Sequence, residues 1–184
     1  MMKQAQMWTY IFVMFLTLQS QCSACRWLGR YRILSAESLR LLGEMGGQYP
    51  ENIKIHIPRR LYNLMDKAEV EDQLRFIVST LDHIIKLMDA SQHMDSVQWN
   101  PKTVAYFLKD LHRQSSELKE CVSLKPPQKV SHEKRINRHF RILKKMLKKE
   151  KYSAEAWEQI RRAVRSHLQR MDIIASNAKL LLKV

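Results

Sequence analysis

Apolar residues recur along this chain at intervals of three and four, and no stretch alternates convincingly at two, so helices are expected and strands are not. The first helix is predicted from about Leu28 to Met45. Leu28, Tyr31, Leu34, Ser38, Leu41 or Leu42, and Met45 share one stripe there, and Gly46-Gly47 follows as a stop. A connection then runs from about Gly46 to Arg60 through Pro50 and Pro58. It is long for a compact domain, which marks it as a functional segment or a strap over the core. In the next helix Val70, Leu74, Ile77, Leu81, Ile84 and Met88 alternate spacings of four and three. That is a narrow seam on a helix nearly parallel to its neighbours, and it is read as starting as early as Leu61.

Three more helices follow. Asn100 as N-cap and Pro101 at the first helical position open one, with Val104, Phe107, Leu108, Leu111, Leu118 and Val122 facing inward. Lys125-Pro126-Pro127 ends it. Ser131 caps a helix to about Lys149 whose apolar line is Ile136, Phe140, Leu143 and Leu147, with nearly everything else basic. Ser153 caps the last, to about Leu182, with Trp157, Ile160, Val164, Leu168, Met171, Ala175 and Ala178 on its inner stripe. One apolar stripe per helix implies mutual burial in an all-α bundle of about five long helices. The long connection between the first two is a crossover of the kind that distinguishes cytokine-like bundles from simple up-down ones.

Residues 1–24 read as a signal peptide. Lys3 is their only charge, Met7 to Leu18 is apolar apart from Thr9 and Thr17, and Cys22-Ser23-Ala24 offers small residues at a cleavage position. A spanning helix needs about 20 predominantly apolar residues, and Gln19 and Gln21 bound this run too early. Cleavage leaves one domain, residues 25–184, bound for secretion. Cys25 and Cys121 remain in it, and in an oxidising compartment they are expected to pair. The bridge would close a loop of about 95 residues and contribute roughly 4 kcal/mol if unstrained.

Charge changes the picture further. The chain carries +14 in all. Residues 25–124 hold 14 basic and 13 acidic groups, whereas residues 125–184 hold 17 basic and 5 acidic, net +12. The C-terminal third is therefore attractive to acidic proteins, glycans or anionic membranes. A nucleic acid is not expected as partner, because the aromatics Phe140 and Trp157 fall on buried stripes and the leader directs the chain outside the cell. Nor is catalysis expected. No HExxH, CxxC, GxxxxGK[ST] or GxSxG occurs. His132 and His139 are two helical turns apart amid cations, too far apart to hold one metal ion without other ligands. Glu69, Glu71 and Asp72 sit where acids suit a helix start. No cofactor or metal is implied.

The segment His139-Phe140-Arg141-Ile142-Leu143, then Leu147, and after seven residues Glu155-Ala156-Trp157-Glu158 resembles the signature of the type I interferons. In that family the aromatic pair and leucines are followed, at this spacing, by Cys-Ala-Trp-Glu opening the last helix. Glu155 stands where the cysteine would be, and its usual partner is missing as well, since no cysteine lies between Cys25 and Cys121. What remains resembles the family's other bridge, from the mature N-terminus to the end of the helix at 101–122, through Cys25 and Cys121. The two-cysteine pattern, Cys25-Arg26-Trp27-Leu28 and the run Trp157 to Lys179 are similar to group I interferons of bony fish, close to the cyprinid ones.

The resemblance implies a monomeric secreted cytokine that bridges two class II cytokine receptor chains and triggers JAK-STAT induction of antiviral genes. It places one receptor chain against the last helix and the first connection, and the other on the opposite face. Arg161 matches a receptor-contacting arginine one turn after the Trp. Arg165 is one turn further and Arg162 is adjacent. All three avoid the stripe of Trp157, Ile160 and Val164, so an outward orientation is expected. Two other readings start from the helix at 131–149, where Arg135, Arg138, Arg141, Lys144, Lys145, Lys148 and Lys149 surround one apolar line. One is a cationic membrane-active protein. The other is an extracellular polyanion binder, with Lys144, Lys145, Lys148 and Lys149 contacting a glycosaminoglycan or an anionic membrane.

Overall fold

The computed structural model describes residues 26–52, 54–89, 96–122 and 131–182. The expected leader and Cys25 lie outside them. Six helices occupy the described residues, which contain no strand: α1 (Arg26–Glu44), α2 (Arg59–Met65), α3 (Val70–Met88), α4 (Pro101–Val122), α5 (Ser131–Lys149) and α6 (Ala154–Leu182). The caps explain several of these limits. Asn100 Oδ1 accepts the otherwise orphaned N–H groups of Lys102 and Thr103 at 3.0 and 3.2 Å. Ser153 Oγ accepts the N–H of Ala156 at 3.3 Å.

Two expectations are corrected. The helix expected from Leu61 is two helices, because α2 closes at Met65 and a turn intervenes before Val70. Gln73 of α3 reaches back across the break and donates its amide to the Met65 carbonyl at 3.0 Å. The buried face of α3 is also not a narrow seam. Phe76, Ile85, Leu87, Gln73 and Thr80 are buried together with the expected Leu74, Ile77, Leu81, Ile84 and Met88. The reason is its position: α3 packs against α2, α4, α5 and α6.

Side-chain pairs fix the topology. Arg30–Glu117 and Ser38–Asp110 run α1 antiparallel to α4. Arg75 to the Val122 carbonyl, with Asp82 to Ser115, runs α3 antiparallel to α4. Hence α1 and α3 are parallel, and only a long crossover can join them. The α5–α6 reversal at residues 150–153 is tight. Lys151 and Tyr152 both adopt the left-handed region there (φ 49° and 55°), and the Tyr152 N–H closes onto the Leu147 carbonyl at 2.8 Å. The long helices α1, α3, α4 and α6 form a closed ring of neighbours, with α5 outside it against α3 and α6. This is the expected all-α bundle with a long crossover between its first two long helices. Between α1 and α4 the core holds a satisfied polar cluster, in which Ser38 donates to Asp110 and Gln114 donates to both.

Candidate functional site

The crossover lies along α6 as a latched strap, and Arg161 is the latch. A helix leaves its last four carbonyls without intrahelical partners. At the end of α1 the Arg161 guanidinium supplies donors in trans, to the carbonyls of Leu42 (3.1 Å) and Gly43 (3.5 Å), and then to that of Gly47 in the strap. Its Nε bonds Glu158 Oε2 at 2.8 Å, and Glu158 Oε1 accepts the indole N–H of Trp99. The Tyr49 ring lies 4.0 Å from the Arg161 guanidinium. Burial pushes the Tyr49 phenol up, and the two arginines beside it partly offset that. Gly46 has no room for a side chain, since a Cβ would meet the Trp99 ring at 2.8 Å and the Arg161 guanidinium at 3.2 Å. The strap continues along α6 through Gln159, which accepts from the Lys54 N–H (3.1 Å) and donates to the Asn52 carbonyl (2.7 Å), and through the Lys54–Glu155 ion pair at 2.6 Å.

The structure therefore corrects the expected orientation of Arg161. It is fully buried, at 0% exposure, and presents nothing to a partner. Arg162 is half-buried, with Nη1 3.4 Å from the Glu51 carbonyl, and Arg165 is exposed, with its guanidinium 4.9 Å from the Tyr49 ring. Tyr49, Arg162 and Arg165 thus share one surface made jointly by strap and α6. Trp157 is fully buried beside Trp99 and Tyr152, as a core anchor.

Lys144, Lys145, Lys148 and Lys149 are all exposed on α5. Ile136, Phe140, Leu143 and Leu147 are buried in the bundle, so the folded protein has no free apolar face on α5 to offer a membrane. No helix among the described residues is long and apolar enough to cross one. Cys121 is half-buried in the last turn of α4. The Arg30–Glu117 pair sets the start of α1, at Arg26, beside that turn.

A second polar centre was not visible in the sequence. His139 and His167 meet through their Nε2 atoms at 3.1 Å, and His167 Nδ1 bonds the Tyr62 hydroxyl at 2.6 Å. Phe140 stacks on both His83 and His167. Burial pushes His139 down to about 4 and His167 well below the ordinary imidazole value, so both are neutral at physiological pH. No group of three or more His, Cys, Asp or Glu among the described residues is arranged to hold a metal ion. The pair is a hydrogen-bonded joint between α2, α5 and α6.

Residues 30–178 match the family model of the interferon alpha/beta domain. The chain is 42% identical over 176 residues to interferon a3 of Oncorhynchus mykiss, covering 93% of this chain and 96% of that protein. It is 24% identical over 170 residues to interferon type A1/A2 of Gallus gallus, covering 88% and 87%. Among solved structures, zebrafish interferon 1 superposes with a TM-score of 0.80 at 65% identity, over 84% of this chain and 99% of that one. Zebrafish interferon 2, at 22% identity and a TM-score of 0.63 over 76% and 95%, shares the fold.

Proposed function

This chain belongs to the interferon alpha/beta family, a cytokine rather than an enzyme, and on that premise we propose that it is secreted and signals by bridging two class II cytokine receptor chains. One receptor chain is met by the joint surface of strap and α6, the other by the opposite face of the bundle. JAK-STAT induction of antiviral genes follows from bringing the two chains together. The observation that carries the reading is the latch. A strap free to move would cost conformational entropy on binding, whereas Arg161, Glu158 and Gln159 hold it in place beforehand and set Tyr49 next to Arg165. Arg162 and Arg165 supply forked donors suited to carboxylates on a receptor, and Arg161 acts through them as a positioning residue.

Removal of residues 1–24 and a Cys25–Cys121 bridge belong to the same reading, and the placement of Cys121 beside the start of α1 supports the bridge. The test uses fish cells with either receptor chain deleted. The cleaved protein should induce antiviral transcripts in parental cells and in neither deletion line, and Arg165→Glu should weaken induction without lowering the melting temperature. Induction that persists without either receptor chain would reject the proposal.

A further inference from the structure

Helix α5 carries a row of cations away from the joint surface of strap and α6. At 100° per residue, Lys134, Arg138, Arg141, Lys145 and Lys148 fall in a line within about 40° of its mean, nearly opposite the buried Ile136, Phe140, Leu143 and Leu147. All five are exposed. None forms an ion pair with a described residue; the same holds for Arg32, Lys102 and Lys109 on α1 and α4, so it is the alignment of five cations in one row that sets α5 apart. Arg135, Lys144 and Lys149 flank the line, and the acids of this region, Glu133 and Glu150, lie only at its two ends. The line is about 21 Å long at 1.5 Å per residue.

The geometry points to a docking stripe for a linear sulfated polysaccharide, a glycosaminoglycan of the cell surface or matrix. Unneutralised cations in a row match a linear chain of anionic groups, and binding gains by releasing the counterions of both. A membrane surface fits less well. An interfacial helix anchors through its apolar face, and here that face is spent inside the bundle, leaving Ile142 as the one apolar residue exposed on α5. Half of the four lysines singled out from sequence, Lys145 and Lys148, lie on the line, and Lys144 and Lys149 lie to either side.

The test compares two triple variants with equal charge loss on immobilised heparin: Arg138→Gln/Arg141→Gln/Lys145→Gln on the stripe, and Arg32→Gln/Lys102→Gln/Lys109→Gln on exposed positions of α1 and α4. If three contacts are lost, the stripe variant should show a slope of log affinity against log salt shallower by about two to three, and should elute at lower salt than the control. Lysine acetylation of the unaltered protein with and without heparin, read by mass spectrometry, should show Lys134, Lys145 and Lys148 protected and Lys102 and Lys109 open. This second measurement decides the matter even if the stripe variant folds poorly. Equal elution of two folded variants, protection spread evenly over the lysines, or retention on phosphatidylserine vesicles with none on heparin would overturn the inference.

Discussion

Replacing Arg161 by alanine should damage the fold before it touches recognition. The substitution removes a fully buried cation and leaves the carbonyls of Leu42, Gly43 and Gly47 without their donor. It also strips Glu158 of its ion-pair partner and opens a cavity beside Tyr49. A buried carbonyl left unpaired costs about 1–3 kcal/mol, and breaking a buried ion pair costs about 3–5 kcal/mol. The carboxylate keeps the Trp99 indole, and water reaches part of the vacated space, so the net loss should be about 3–5 kcal/mol. At about 2–4 °C per kcal/mol for a chain of this size, the melting temperature should fall by roughly 10 °C. Arg161→Lys should recover less than half of that, because an ammonium cannot fork to two strands of carbonyls while also holding Glu158. Circular dichroism melts of the three proteins measure this directly, with proteolysis of the strap as a second readout. A melt of Arg161→Ala within 2 °C of the unaltered protein, taking about 2 °C as the effect of a minor surface change, would refute the latch.

Gly46→Ala should cost about 1–3 kcal/mol, since its Cβ would run into a Trp99 ring tethered to Glu158, and Tm and strap proteolysis would report it. The buried histidines make stability depend on pH. Their folded pKa values lie below the unfolded value near 6.5, so the unfolded chain binds more protons in acid; the stability is complete above about pH 6.5 and declines as pH falls toward about 4 for His139. His139→Gln keeps a hydrogen-bonding group toward His167 but does not titrate there, so it should flatten the Tm–pH slope across that window; an unchanged slope would count against the joint. Non-reducing peptide mapping of the secreted protein should find Cys25 joined to Cys121, and Cys121→Ser should lower stability by up to about 4 kcal/mol.

The helices were legible because each long one buries a periodic stripe, and the caps Asn100 and Ser153 act locally, on backbone N–H groups two or three residues further on. The short helix α2 was missed although the rhythm marks it: Met65 to Val70 is a spacing of five, and at 100° per residue Leu61 and Met65 fall on the side opposite the stripe of α3. Arg161 was misread on an assumption about charge. It lies only about 40° around the helix from Trp157, on the flank of the apolar stripe, where the period alone would place a buried residue. A guanidinium is tolerated there because α1 ends against it with unpaired carbonyls, and that partner is more than a hundred residues away in sequence. Separation in sequence also hid the His139–His167–Tyr62 joint, whose members come from three helices, with His139 and Tyr62 lying 28 and 105 residues from His167. Ser38 was placed correctly on the inner face, but its partners Asp110 and Gln114 were not seen, since buried polar groups break the apolar pattern instead of extending it.

The most direct measurement of the central claim is the stoichiometry of a complex between the cleaved protein and the purified ectodomains of the two receptor chains, weighed in solution. One copy of each should assemble only when all three are present. The Arg162→Glu/Arg165→Glu protein should lose the ectodomain that meets the strap and α6 while retaining the other and its own melting temperature. Retention of both ectodomains by that variant, or an unaltered protein that binds only one chain, would contradict the account.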